Sequence, residues 1–154
     1  MLVTINTDAS WCPDTLIATY AFWAVSDNFR IVKTGTFKNK CLNPSEAESK
    51  CIINALKSVL IHKDITNVII NTDSQQSIDL FTTSTSHLRG ENKETWASLR
   101  KVYKEVCGSV KITFRHVKAH TRVSDARSFV NRWCDTQAKK QLREARKNDN
   151  TKQD

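Results

Sequence analysis

No stretch of eighteen or more apolar residues occurs in this 154-residue chain, so no helix spanning a membrane is expected. The opening Met1-Leu2-Val3-Thr4-Ile5 has no basic lead, long apolar run or small-residue cleavage site. A secretory leader is therefore not expected, and the cytoplasm (or the nucleus of a eukaryote) is the expected location. The five cysteines, Cys12, Cys41, Cys51, Cys107 and Cys134, are odd in number and form no C-x-x-C pair. That argues against a disulfide framework and a cysteine-held zinc, and for reduced thiols acting as small apolar residues. No internal repeat and no linker divides the chain, whose length suits one domain with a sizeable core. What the chain has in excess is positive charge, formally +8. Lys139, Lys140, Arg143, Arg146 and Lys147 crowd one late segment. Such a surface attracts polyanions, nucleic acid first among them, although basic tails are also often merely solvated.

Residues 2–7 alternate apolar and polar and predict a strand ending at Asp8. Residues 16–25, rich in β-branched and aromatic side chains, predict a second strand, and 30–37 a third, joined at the Asp27-Asn28 turn. The period then changes. Cys51, Ile52, Ala55, Leu56, Val59 and Leu60 recur at spacings of three and four, the mark of an amphipathic helix. Asn43 is its candidate N-cap, with Pro44 at the first helical position. The apolar run 67–72 predicts a buried strand, which a right-handed crossover would set parallel to the first. A short helix over 75–81, a loop over 82–92, a helix over 93–106, a fifth strand over 110–117 and a last helix from about Ser128 to Arg146 complete the reading. Residues 1–147 form the domain, and 148–154 are expected to be a disordered polar tail.

Two of these strands close on the same tripeptide, Asn6-Thr7-Asp8 and Asn71-Thr72-Asp73. As parallel neighbours they would set Asp8 and Asp73 side by side at the carboxyl edge of the sheet, where open α/β folds place their ligands. Each aspartate alone would be an ordinary turn residue. Together they repel, and a bound divalent cation resolves the conflict. Glu48 precedes Cys51, Ile52, Ala55 and Val59 by three, four, seven and eleven residues, so it shares the stripe that faces the sheet. Glu46 lies about 200° away around the helix. It is expected to point outward and to close a capping box with Asn43. The rival arrangement, Ser45 as cap with Glu48 closing the box, conflicts with Pro44 at the first helical position. In the last helix Asn131, Asp135, Ala138 and Leu142 share one face, an unusual place for a solvated charge. Asp135 is thus the fourth candidate, ahead of Asp125, for which an N-cap role is enough.

The motifs TDAS at 7–10, AES at 47–49, TDSQ at 72–75, VKAH at 117–120 and NRWCDTQA at 131–138 together resemble type 1 ribonuclease H, in order, spacing and supporting element. The resemblance implies an α/β fold with a five-stranded mixed sheet, strands one to three antiparallel, four and five parallel to the first, flanked by helices. It implies a monomeric, metal-dependent endonuclease that cuts the RNA strand of an RNA/DNA hybrid. Asp8, Glu48, Asp73 and Asp135 would be the catalytic metal-binding carboxylates, and His120 a mobile catalytic auxiliary. Two Mg²⁺ ions, replaceable by Mn²⁺, are implied, and such a pair activates water and stabilises the leaving oxygen. Ser10, Asn43, Ser45 and Gln75 match substrate-binding positions, where the RNA 2′-OH would be read. Local capping is the competing role of Asn43 and Ser45. Lys118, Arg122 and Arg127 could meet phosphates.

Three features depart from the bacterial pattern. Ala9 stands where glycine is usual, and the loop Ser10-Trp11-Cys12-Pro13-Asp14 has no glycine at all. The segment between Asp73 and Trp96 holds only Arg89 and Lys93 as basic residues, so a basic protrusion is absent or reduced. The stretch between His120 and Asp135 is longer than usual. A DNA nuclease or integrase-type enzyme on the same fold is disfavoured by TDSQ and VKAH. An inactive hybrid-binding module is disfavoured by the four carboxylates.

Overall fold

The computed structural model describes residues 1–62, 64–83, 92–117 and 126–152, the last segment with side chains over 128–148. Its elements run β1 (Leu2–Trp11), β2 (Ala18–Val25), β3 (Arg30–Thr36), α1 (Pro44–Val59), β4 (Asn67–Thr72), α2 (Gln75–Thr82), α3 (Lys93–Cys107), β5 (Lys111–His116) and α4 (Ala126–Lys152). The five strands form one sheet in the order β3-β2-β1-β4-β5. β1, β2 and β3 pair antiparallel, while β4 is parallel to both β1 and β5. This is the mixed sheet that the sequence predicts.

Alternation along the strands sorts the two faces. Val3, Ile5, Phe22 and Ala24 are buried against Cys51, Ile52, Ala55, Leu56 and Val59 of α1, and α3 adds Leu99, Tyr103 and Cys107 to the same core. Phe81, Tyr103 and Phe114 close that layer, with the Phe81 and Tyr103 rings stacked at 4.2 Å. On the opposite face Ala21 packs against Cys134 and Ala138 of α4. Trp23 meets Trp133 edge-on at 5.2 Å and carries the Arg30 guanidinium 4.4 Å above its ring. Small residues at 21, 134 and 138 let α4 approach the sheet closely, which brings Asp135 to it.

The N-terminus of α1 follows its sequence signals. Asn43 Oδ1 accepts the Glu46 N–H at 2.9 Å with Pro44 behind it, a cap worth about 1 kcal/mol. Glu46 is not turned outward as expected. It is 5 % exposed, accepts the Leu42 N–H at 2.7 Å and pairs with Lys50 at 3.1 Å. Its methylenes fold back over the helix start, so an orphan donor outside the helix is satisfied in place of the N–H of Asn43.

Element ends differ in two informative places. β1 continues past Asp8 to Trp11 because its pairing with β2 extends to Trp11↔Ala18. α4 begins at Ala126 and its backbone stays helical to Lys152, six residues beyond Arg146.

Candidate active site

The parallel pairing of β1 with β4 ends at Asn6↔Asn71. Two residues further along each strand stand Asp8 and Asp73. Glu48, on the second turn of α1, reaches over the same edge. One carboxylate oxygen from each of Asp8, Glu48 and Asp73 lies within 4.8 Å of the others. Asp135 comes from the other layer on α4, near enough to Asp8 for the two carboxyl groups to interact. Its Oδ2 also takes the Lys139 ammonium at 2.9 Å. The structure thus gathers all four predicted carboxylates at one edge, three of them in a tight cluster and the fourth holding a lysine.

The cluster is oriented by backbone. The Ala9 N–H donates to Asp8 Oδ1 at 2.9 Å and to Glu48 Oε1 at 3.1 Å. The other oxygens, Asp8 Oδ2 and Glu48 Oε2, are buried without a partner. Bare carboxylate oxygens in a low-dielectric site are costly. Burial, then the charges of Glu48, Asp73 and Asp135, push the Asp8 carboxyl far above the usual carboxylate range. Burial and the Asp73 charge raise Glu48 as well. A hard divalent cation is the partner that this donor set fits, since it accepts several carboxylate oxygens and removes the repulsion at once.

Hydroxyls brace the edge. Ser49 of α1 and Ser77 of α2 meet at 2.9 Å, and Ser74 donates to Ser77 at 2.9 Å while capping α2. Thr72 Oγ1 accepts the Ser74 N–H at 3.2 Å, and a ring nitrogen of His116 lies 3.1 Å from the Asp73 carbonyl. Asp73 is thereby flanked on both sides by fixed neighbours. On the α4 side Asn6, Asn71 and Asn131 are buried with amide oxygens that lack partners, a polar layer directly below the carboxylates.

The predicted substrate residues surround this edge. Ser10 lies two residues beyond Asp8 on β1, paired with Thr19. Asn43 is engaged as the α1 cap. Ser45 hydrogen-bonds Gln76 of α2, so the two helix starts are tied together. Gln75 is exposed and its amide donates to Asp79 at 2.9 Å. Lys118, His120, Arg122 and the rival Asp125 lie outside the described residues, as does the side chain of Arg127. Sequence reasoning missed Gln76, the Ala9 N–H and Lys139. Of these, only Lys139 had a legible signal, its place one turn after Asp135.

The family model for RNase H matches residues 2–143. The chain belongs to the RNase H family. Solved structures agree at the level of fold. RNase H1 from the halophilic archaeon Halobacterium salinarum superimposes with a TM-score of 0.69 at 18 % identity, covering 94 % of this chain and 99 % of that one. The N-terminal RNase H domain of Rv2228c from Mycobacterium tuberculosis, solved as a fusion with maltose-binding protein, gives 0.66 at 14 % identity, with 91 % and 98 % covered. LC11-RNase H1, solved in complex with an RNA/DNA hybrid, gives 0.65 at 16 % identity, with 93 % and 98 % covered. A search of curated protein sequences returns no match. The family match and these folds agree on a ribonuclease H domain.

Proposed function

We propose that this ribonuclease H hydrolyses the RNA strand of RNA/DNA hybrids endonucleolytically, with two divalent ions, Mg²⁺ by preference, held by Asp8, Glu48, Asp73 and Asp135. The observation that carries the reading is the trio of carboxylates within 4.8 Å, with partnerless buried oxygens on Asp8 and Glu48. That arrangement is unfavourable alone and suited to cations. When bound, the ions supply a nucleophilic water at neutral pH and neutralise charge on the leaving oxygen.

The protein's own groups do the rest. The Ala9 N–H fixes the rotamers of Asp8 and Glu48, so the donor oxygens are set before any ligand arrives. The Ser49–Ser77–Ser74 chain holds the Asp73 turn in place. Lys139 offsets the charge of Asp135, leaving the trio as the more strongly anionic part. Ser10, Asn43, Ser45 and Gln75 rim the edge where a ribose would lie, and hydrogen bonds to its 2′-OH distinguish RNA from DNA. His120 serves the proton traffic of the leaving group. LC11-RNase H1, which shares the fold, was solved on an RNA/DNA hybrid, and this supports the substrate class.

The test is cleavage of end-labelled RNA/DNA hybrid, duplex RNA and duplex DNA, each with Mg²⁺ or EDTA. The expected result is internal cuts in the RNA strand of the hybrid only, abolished by EDTA. Asp8→Asn should lower the rate by at least about a thousandfold while hybrid binding is kept. Near-normal turnover by Asp8→Asn would reject the site, and preferential cutting of duplex DNA would reject the substrate.

A further inference from the structure

The charge of the molecule is concentrated on α4, where eight basic residues face three acidic ones. Arg132, Lys139, Arg143 and Arg146 follow one another at spacings of seven, four and three, and all four are exposed. At 100° per residue they fall within an arc of about 60° and lie within about 80° of Asp135. Glu144 projects from the opposite side of the helix. The stripe therefore begins at the carboxylate cluster, where Lys139 already meets Asp135.

Its far end is also located. The Arg146 side chain lies near the Cys12 thiol, in the turn that follows β1. From Asp8 to Cys12 β1 advances about 13 Å, and from Asp135 to Arg146 α4 advances about 16 Å. The helix thus runs alongside β1 and carries its cations past the catalytic edge. The segment between α2 and α3, by contrast, holds few basic residues, so much of the positive charge available to a duplex lies on α4.

We propose that this α4 stripe is a second docking surface for the substrate duplex. Resting on the reading that the substrate is an RNA/DNA hybrid, it holds the phosphate backbone to one side of the cut and lengthens the bound footprint. The roughly 16 Å of helix corresponds to about five base-pair rises of 3.4 Å. Arginine is suited to this task because its planar fork binds phosphate in bidentate fashion. Such contacts add affinity without reading sequence.

The experiment measures anisotropy of labelled hybrids of increasing length, in EDTA, for the wild-type chain, R143Q/R146Q and the off-stripe control K140Q/K147Q. Glutamine preserves helix propensity, and thermal melts verify folding. The wild type should bind long hybrids more tightly than short ones. R143Q/R146Q should lose on the order of tenfold on the long hybrids and much less on the shortest, with a salt slope lower by about two. Its maximal cleavage rate on a short hybrid in Mg²⁺ should be unchanged, and K140Q/K147Q should keep the length dependence. Equal binding of long hybrid by R143Q/R146Q, or equal losses in both double variants, would overturn the inference while leaving the proposed function intact. Failure of the wild type to bind hybrid of any length would instead reject the function, and the inference with it.

Discussion

Asp8 is 2 % exposed and sits among three other carboxylates, so without a cation it is held against its preference to ionise. The sign of the pH effect follows. A carboxyl whose native pKa is raised keeps its proton in the folded state while the unfolded chain releases it. In EDTA, stability should therefore fall as pH rises from the ordinary carboxylate range near 4 through neutrality. Asp8→Asn removes the repulsion and should stabilise the metal-free protein at pH 7 by an amount on the order of 1–3 kcal/mol, with a higher melting temperature. Melting curves in EDTA from pH 4 to 8 check both statements, and a variant less stable than wild type at neutral pH contradicts them. Which residues would meet was legible because the clues were local. The repeated Asn-Thr-Asp named Asp8 and Asp73, and helical spacing separated Glu48 from Glu46. The burial of Glu46 was not legible, because it depends on a side chain folding back to the Leu42 N–H. A helical wheel gives direction and not reach.

The elements show where sequence patterns stop. β1 outlasts its apolar alternation because ladder hydrogen bonds to β2 hold residues 9–11, while Ala9 and Trp11 pack against Ala18, Cys41 and Ala47. β3 has a more specific device. Tyr20 lies across Gly35, its cross-strand partner, and packs at a tilt against Phe37 with centroids 4.9 Å apart. A Cβ on Gly35 would meet Tyr20 Oη at 2.7 Å and Cζ at 2.9 Å. Gly35→Ala should therefore cost about 1–3 kcal/mol by overpacking. With Tyr20→Leu added, the double variant should lose less stability than the sum of the two single losses, since the two residues share one contact. Denaturant melts of the cycle test this, and strictly additive losses would rule out the clash as the cause.

For the molecule as a whole, the parallel pairing of β4 with β1 was legible because a long helix between two strands leaves one right-handed way back to the sheet, while the rest of the strand arrangement followed from the family resemblance. The route taken by α4 was not, because the face it covers is chosen by small residues such as Ala21, Cys134 and Ala138, which carry little periodic signal. The +8 charge sets a global expectation: hybrid affinity should fall steeply with salt, whereas the metal site, partly buried, should respond far less. Binding isotherms over a salt series check this, and a salt-insensitive affinity would contradict a phosphate-dominated interface. Titration calorimetry of Mn²⁺ into the wild-type chain, Asp8→Asn and Glu46→Gln tests the account most directly. Saturable binding by the wild type and Glu46→Gln, lost in Asp8→Asn, is the predicted result. Absence of binding by the wild type at millimolar Mn²⁺, or undiminished binding by Asp8→Asn, would contradict it.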